Sequence, residues 1–195
     1  MKQDILRNDP LKDLVSQGNL KIGKDTLIFN ITPAKYCSSE KLGLCKHANI
    51  CYAKKAERLY PSVLPFRIRQ FLYWENCTAD QFASEIIEII KRKKTKIKFL
   101  RFNESGDFRS QYDIVKLSQI ADLLSDTVKV YTYTARKDLD FTRLSDNLTI
   151  NGSGFMIHNN FSITKDKSLV NCPANCRTCN KCKFSTGKVI YGLEH

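Results

Sequence analysis

IKFLRFNESGDF, residues 97–108, decides the fold. Its first half is rich in aromatic and branched residues and reads as a strand, while its second half gathers turn-forming residues and reads as a loop. The same pairing recurs downstream. QYDIVKLSQIADLLS (111–125) carries helical periodicity, VKVYTYT (128–134) is a strand running into ARKD, DLDFTRL (138–144) predicts a short helix, and NLTING (147–152) is a strand running into another glycine–serine turn. Strands separated by helices predict a parallel sheet. The expected class is α/β, either a partial β/α barrel or an open parallel sheet, with cysteine-rich metal-binding loops at the carboxyl edge of the strands.

Upstream, DPLKDLVSQG (9–18) predicts a short helix capped by Asp9 and stopped by Gly18, and TLIFNI (26–31) a strand ending before Pro33. NICYAKKAERLY (49–60), PFRIRQFLYWEN (65–76) and TADQFASEIIEIIKRKK (78–94) predict three helices, the last opened by a capping box of Thr78 and Gln81. No repeat or low-complexity linker divides the chain. Residues 1–195 are expected to form one domain, with 1–24 as a helical lead-in and 172–182 packed on the same domain.

The composition, 42% hydrophobic and 27% charged over 195 residues, suits a soluble globular protein able to bury a core without covalent staples. No apolar run is long enough to span a bilayer, so no membrane partner is expected. MKQDILRNDP (1–10) has no apolar segment of the secretory kind, which points to the reducing cytoplasm. Net charge is +12, from 32 Lys plus Arg against 20 Asp plus Glu, and it favours nucleic acid as a partner. The densest basic run, KRKKTK (91–96), reads either as cations at a helix end or as a phosphate-binding patch.

In a reducing compartment, clustered thiols hold metals more readily than they form disulfides. Seven of the eight cysteines fall in two sets: Cys37, Cys45 and Cys51, spaced C-x7-C-x5-C, and Cys172, Cys176, Cys179 and Cys182 within CPANCRTCNKC, spaced C-x3-C-x2-C-x2-C. Cys77 stands apart and reads as a buried thiol. The second set suits a [4Fe–4S] cluster or a tetrahedral zinc ion. The first can be completed by His47 as a Cys3His zinc site, or can hold a cluster with one iron open, or the two sets can share one cluster.

Loops that follow parallel strands build ligand sites. By that rule Glu104, Asp107, Tyr133 and Arg136 are the candidate catalytic groups: two carboxylates, a hydroxyl and a cation suited to a small polar or phosphorylated ligand. Asn103, Ser105, Gly106, Thr134, Asn151 and Ser153 are the candidate ligand-holding residues. The same residue types also form turns and caps for purely local reasons. Leu193, Glu194 and His195 are assigned no role.

CYAKK (51–55), RFNESGDF (101–108), YTYTARK (131–137), NLTINGSG (147–154) and CPANCRTCNKC together resemble the phage and plasmid proteins called the gene product eighty-eight family. The likeness implies a mobile-element origin, hence a host cytoplasm, and an architecture more than an activity. The cysteine loop ending in CYA, ahead of a β/α sheet, is also distantly similar to radical S-adenosylmethionine enzymes. That likeness implies that Cys37, Cys45 and Cys51 ligate a cluster and that Glu104 or Asp107 serves the cofactor. The usual C-x3-C-x2-C spacing is replaced here by wider gaps, which favours cluster binding over S-adenosylmethionine binding. Two functions follow as expectations: an iron–sulfur protein with redox or radical-type activity, or a zinc-stabilised nucleic-acid-binding protein of a mobile element.

Overall fold

The computed structural model of the chain describes residues 10–194. Its centre is a seven-stranded sheet in which sequence order is spatial order. The strands are β1 (Ser16–Gln17), β2 (Thr26–Phe29), β3 (Phe99–Phe102), β4 (Lys129–Thr134), β5 (Leu148–Ser153), β6 (Asn159–Thr164) and β7 (Val189–Leu193). β1 runs antiparallel to β2, and every other neighbouring pair is parallel. The fold is α/β, and the sheet is open, with β1 and β7 at its edges.

Successive strand residues point to opposite faces, and the sequence uses the two faces differently. Leu27, Phe29, Leu100, Phe102, Val130, Leu148 and Ile150 share one face and belong to the apolar core. Of the five α-helices among the described residues, α1 (Ser38–Lys41) and α2 (Tyr52–Leu59) follow β2. Helices α3 (Val63–Asn76), α4 (Ala79–Lys91) and α5 (Gln111–Leu123) cover that apolar face. Phe82 of α4 meets the rings of Phe29, Phe102 and Trp74 with centroids 5.0, 5.6 and 5.8 Å away. Cys77 lies in this core, its thiol directed at the Trp74 carbonyl. Thr78 caps α4 by accepting the Gln81 N–H at 3.1 Å, while the Gln81 side chain turns to Glu85 instead of back to the cap. Among the described residues no helix is long and apolar enough to cross a membrane.

Several local expectations are corrected. Within the predicted helical lead-in, residues 10–24 hold only a 3-10 turn, Leu11–Asp13, and the edge strand β1; Asp9 lies outside the described residues. Burying both Leu11 and Leu14 in the core, with the turn at Leu11–Asp13 against α4, and pairing Ser16 with Ile28 outweighs the helical pattern. Residues 138–144 form turns, because Asp140 spends its carboxylate on the Thr142 N–H and its own N–H on Gln111, a local bond that competes with helix formation. Strands β6 and β7 were not anticipated. Residues 154–158 alone join the parallel strands β5 and β6, far less chain than a helical crossover needs, and a β-carbon on Gly152 would sit 2.3 Å from the Phe155 carbonyl oxygen. Leu193, to which the sequence assigned no role, pairs with Thr164 in the sheet.

Helices α3 and α5 are tied by a buried carboxylate. Asp113 is fully buried and accepts from Trp74 Nε1 at 2.8 Å, from Arg109 N at 2.8 Å and from Arg109 Nη2 at 2.7 Å. Burial alone would raise its pKa, but the bonds from Arg109 and Trp74 prevail and hold it below the usual carboxylate range. Its contribution is therefore complete above the unfolded-chain pKa of about 3.9 and fades as the pH falls through the lower folded value. Asp113→Asn should cost about 1–3 kcal/mol at neutral pH. In urea unfolding the gap between variant and wild type should narrow below about pH 4.

Candidate cysteine-lined site

The sheet face opposite α3, α4 and α5 is polar and aromatic where the other is aliphatic. Phe99 and Arg101 of β3, Tyr131 and Tyr133 of β4, and Thr149 and Asn151 of β5 alternate with the core residues and point to this side. The segment bearing Cys172, Cys176, Cys179 and Cys182 lies across it. Asn151 Nδ2 donates to the Cys182 carbonyl at 2.9 Å, Asn159 Nδ2 to the Phe184 carbonyl at 2.9 Å, and the Thr186 N–H returns to Asn159 Oδ1 at 2.9 Å. Phe184 stacks edge-on against Phe99. The Arg177 N–H bonds the Lys21 carbonyl, just ahead of β2. The segment thus spans the face from mid-strand toward the amino ends, not at the carboxyl edge where the sequence suggested it.

All four of these cysteines line one cavity of about 20 Å³. Tyr131, Tyr133 and Lys183 form other parts of its wall. Burial pushes the Cys182 thiol up to about 11, opposed by the Tyr133 hydroxyl and reinforced by Cys172, Cys176 and Cys179. Cys176 is raised by burial and opposed by the Arg101 cation. Among the described residues four buried polar atoms on this side lack a hydrogen-bond partner: Lys183 Nζ and Asn175 Oδ1 in the cavity wall, Thr149 Oγ1 on β5 and Arg101 Nε on β3. Lys183 is only 2% exposed, its ammonium lying 4.1 Å from the centroid of the Phe99 ring.

The other three cysteines belong to the segment after β2. Cys37 precedes α1, and Cys51 holds the N-cap position of α2. Glu57 of α2 pins the start of this segment, accepting from the Ala34 and Lys35 N–H groups at 2.7 and 2.9 Å and from Arg67 at 3.0 Å. Burial raises Cys37, opposed by a bond from Ser39 and reinforced by the Asp107 charge. Burial raises Cys45 as well, with the charges of Cys51 and Asp107 adding to it, while His47 meets Cys45 through its backbone. All three are half-buried. Every cysteine is a free thiol, and among the described residues no three His, Cys, Asp or Glu side chains are already drawn to metal-binding distance.

The strand-end loops do converge, but mostly on one another. Asp107 is 3% exposed and its carboxylate accepts from Thr134 Oγ1 at 2.6 Å and from the Ala135 and Phe108 N–H groups, both at 2.8 Å. Burial raises its pKa against those bonds. Arg136 pairs with Asp138 at 2.8 Å and donates to the Phe108 and Arg109 carbonyls. The Ser105 N–H is held by Asn30 at 2.8 Å, and Asn103, at a left-handed φ of 55°, accepts from the Ile31 N–H. Thr134, Asp107 and Arg136 therefore lock two loops together. Tyr133 and Asn151 face the four-cysteine segment instead of a ligand loop. Glu104 stays half-exposed beside Arg101 at 3.9 Å, its carbonyl held by the Tyr52 hydroxyl, and Ser153 is half-exposed at the end of β5.

Sequence reasoning missed Lys183, Arg101 and Asn159. Arg101, with its Nε unpartnered, lies 5.2 Å from the Tyr133 ring centroid and within electrostatic reach of both Tyr52 and Cys176. Nothing in a chain with 32 basic residues marks Lys183 and Arg101 as the cations that face the cysteines. The position of Lys183 directly after Cys182 was the available signal.

Sequential, mostly parallel strands, helices on one face and thiols gathered on the other face and beyond the strand ends define the class: an α/β protein with a cysteine-lined sheet. The family described as Gene product 88 matches residues 9–162, and the chain belongs to it. That span includes Cys37, Cys45 and Cys51 and reaches into β6, and it stops before the four-cysteine segment and β7. No curated protein and no solved structure matches the chain.

Gly106 permits the loop after β3 to cross the chain after β2. Its φ is +70°, and a β-carbon there would lie 2.0 Å from the Thr32 carbonyl oxygen. Gly106→Ala should destabilise the protein by on the order of 2–3 kcal/mol, read as a lowered Tm, because the left-handed conformation is strained and the obstructing atom is backbone.

Proposed function

We propose that this is an iron–sulfur protein of a phage or other mobile element, in which Cys37, Cys45 and Cys51 hold a cluster at the carboxyl edge of the sheet. The observation that carries the reading is the grouping of these thiols. Cys45 shares its surroundings with Cys51 and Asp107, and Cys37 with Asp107, beyond the ends of β2 and β3. Three thiolates account for three irons of a [4Fe–4S] cluster and leave the fourth open to a ligand, which is the chemistry such a cluster supplies in redox or radical-type reactions. What supports this is the chemistry of the donor set: the thiols are unpaired, half-buried and adjoin a polar loop, although no three of them are drawn to metal-binding distance among the described residues.

The protein's own part is support and ligand contact. Asp107, Thr134 and Arg136 fix the loops, and Glu104 and Ser153 remain open enough to meet a small polar or phosphorylated ligand. The wide cysteine spacing argues against naming S-adenosylmethionine as that ligand. Anaerobically purified protein should contain iron and sulfide in matched amounts and absorb visible light through thiolate-to-iron charge transfer. Cys45→Ser/Cys51→Ser should lose this absorbance. Colourless wild-type protein without iron would end the reading.

A second reading rests on charge. Residues 91–96 are exposed throughout, with Lys91 paired to Glu88 at the end of α4, and the net charge is +12. A nucleic-acid-binding protein of this kind should lose affinity steeply as salt rises. Binding to a DNA or RNA duplex that is absent at low salt, or flat with salt, would remove this alternative.

A further inference from the structure

The cysteines at 172–182 need not do what the three at the carboxyl edge do. We infer that Cys172, Cys176, Cys179 and Cys182 form a second, closed site for a single divalent ion in tetrahedral thiolate coordination, zinc or ferrous iron, with Lys183 as its buried counter-charge. The site is distinct from the cluster site proposed above, and rests on that proposal only in treating the other three cysteines as a separate set.

Three observations support it. First, size: a cavity of about 20 Å³ holds one water-sized occupant, which suits a lone ion better than a four-iron cubane. Second, the donor set is complete in number, although no three of these thiols are drawn to metal-binding distance among the described residues. Four thiols line the same small space, which matches the closed four-ligand pattern of structural ions, whereas the three-cysteine set leaves a position open. Third, charge: a buried lysine ammonium without a hydrogen-bond partner, as on Lys183, is costly unless an anion lies beside it. Four thiolates around a divalent ion carry two negative charges in excess; Lys183 in the cavity wall offsets one of them, and Arg101, itself paired with Glu104, lies within electrostatic reach of Cys176.

The surroundings are those of a supported metal site. Tyr133 shares the cavity wall with Cys182, and Asn151, itself held by Asn159, fixes the Cys182 carbonyl. Bound there, an ion would fasten the C-terminal segment onto the sheet and anchor the loop from which β7 returns.

Cobalt serves as the spectroscopic probe. Cobalt-loaded wild-type protein should show tetrahedral thiolate bands that persist in Cys45→Ser/Cys51→Ser and vanish in Cys172→Ser/Cys179→Ser. Lys183→Met keeps the side-chain length without the charge and should release the ion to a chelator about tenfold faster or more, while Lys183→Arg should hold it nearly as wild type does. If the methionine variant does not fold, Lys183→Gln against Lys183→Arg makes the same comparison. Bands absent from the wild type, or surviving in Cys172→Ser/Cys179→Ser, would overturn the site, and release at the wild-type rate from Lys183→Met would overturn the counter-charge. An iron–sulfide cluster retained by Cys45→Ser/Cys51→Ser and lost in Cys172→Ser/Cys179→Ser would overturn the single ion. A single retained ion in a protein without any iron or sulfide would instead end the cluster proposal and leave this one standing.

Discussion

The alternation of side chains along β3, β4 and β5 governs the rest of the structure. Leu100, Phe102, Val130, Leu148 and Ile150 commit one face to the helices, so Arg101, Tyr131, Tyr133, Thr149 and Asn151 must occupy the other. A face carrying a guanidinium, phenols and an amide has to be solvated or covered by something able to bond it. The chain after β6 provides that cover. Asn151 and Asn159 bond its carbonyls, Phe184 packs on Phe99, and the four cysteines come to rest over Tyr131 and Tyr133.

The strand-end loops meet a different demand. Once Asp107 is buried its carboxylate requires donors, and it takes them from Thr134, Ala135 and Phe108. That clasp joins the loops after β3 and β4 and places Asp107 under the three-cysteine segment, where its charge reaches Cys37 and Cys45. Residues with the chemical look of a ligand site thus act largely as the frame that sets the cysteine loop in place. Glu104 and Ser153 are left half-exposed at the edge.

Much of the fold was legible in the sequence. Strands β2 to β5 and helices α2 to α5 announce themselves through apolar periodicity and through punctuation such as Pro61, the Thr78 cap and the NESGD turn, because these signals are local. The edge strand β1, the abrupt return from β5 to β6 and the final strand β7 were not. Each is a short polar or mixed segment that becomes a strand only by adding to a sheet already formed, and the docking of Leu11 and Leu14 overrode a plausible helix. The candidate site divided in the same way. The seven clustered cysteines were visible from spacing, whereas Lys183 and Arg101 were not, since burial of a charge is a property of what surrounds it.

By itself the sequence determined the α/β class, the helical layer and the thiol chemistry available, because periodicity and residue type are carried by neighbours along the chain. Only the tertiary structure decided that the two cysteine sets occupy different places, one beyond the strand ends and one across the polar face. That division depends on which sheet face each segment covers, and it follows from contacts between residues far apart in sequence, such as Asn151 with Cys182. The same long-range packing turned Asp107 and Arg136 from open ligand groups into a buried clasp, since hydrogen-bond demand inside a core is satisfied by whatever the fold brings within reach.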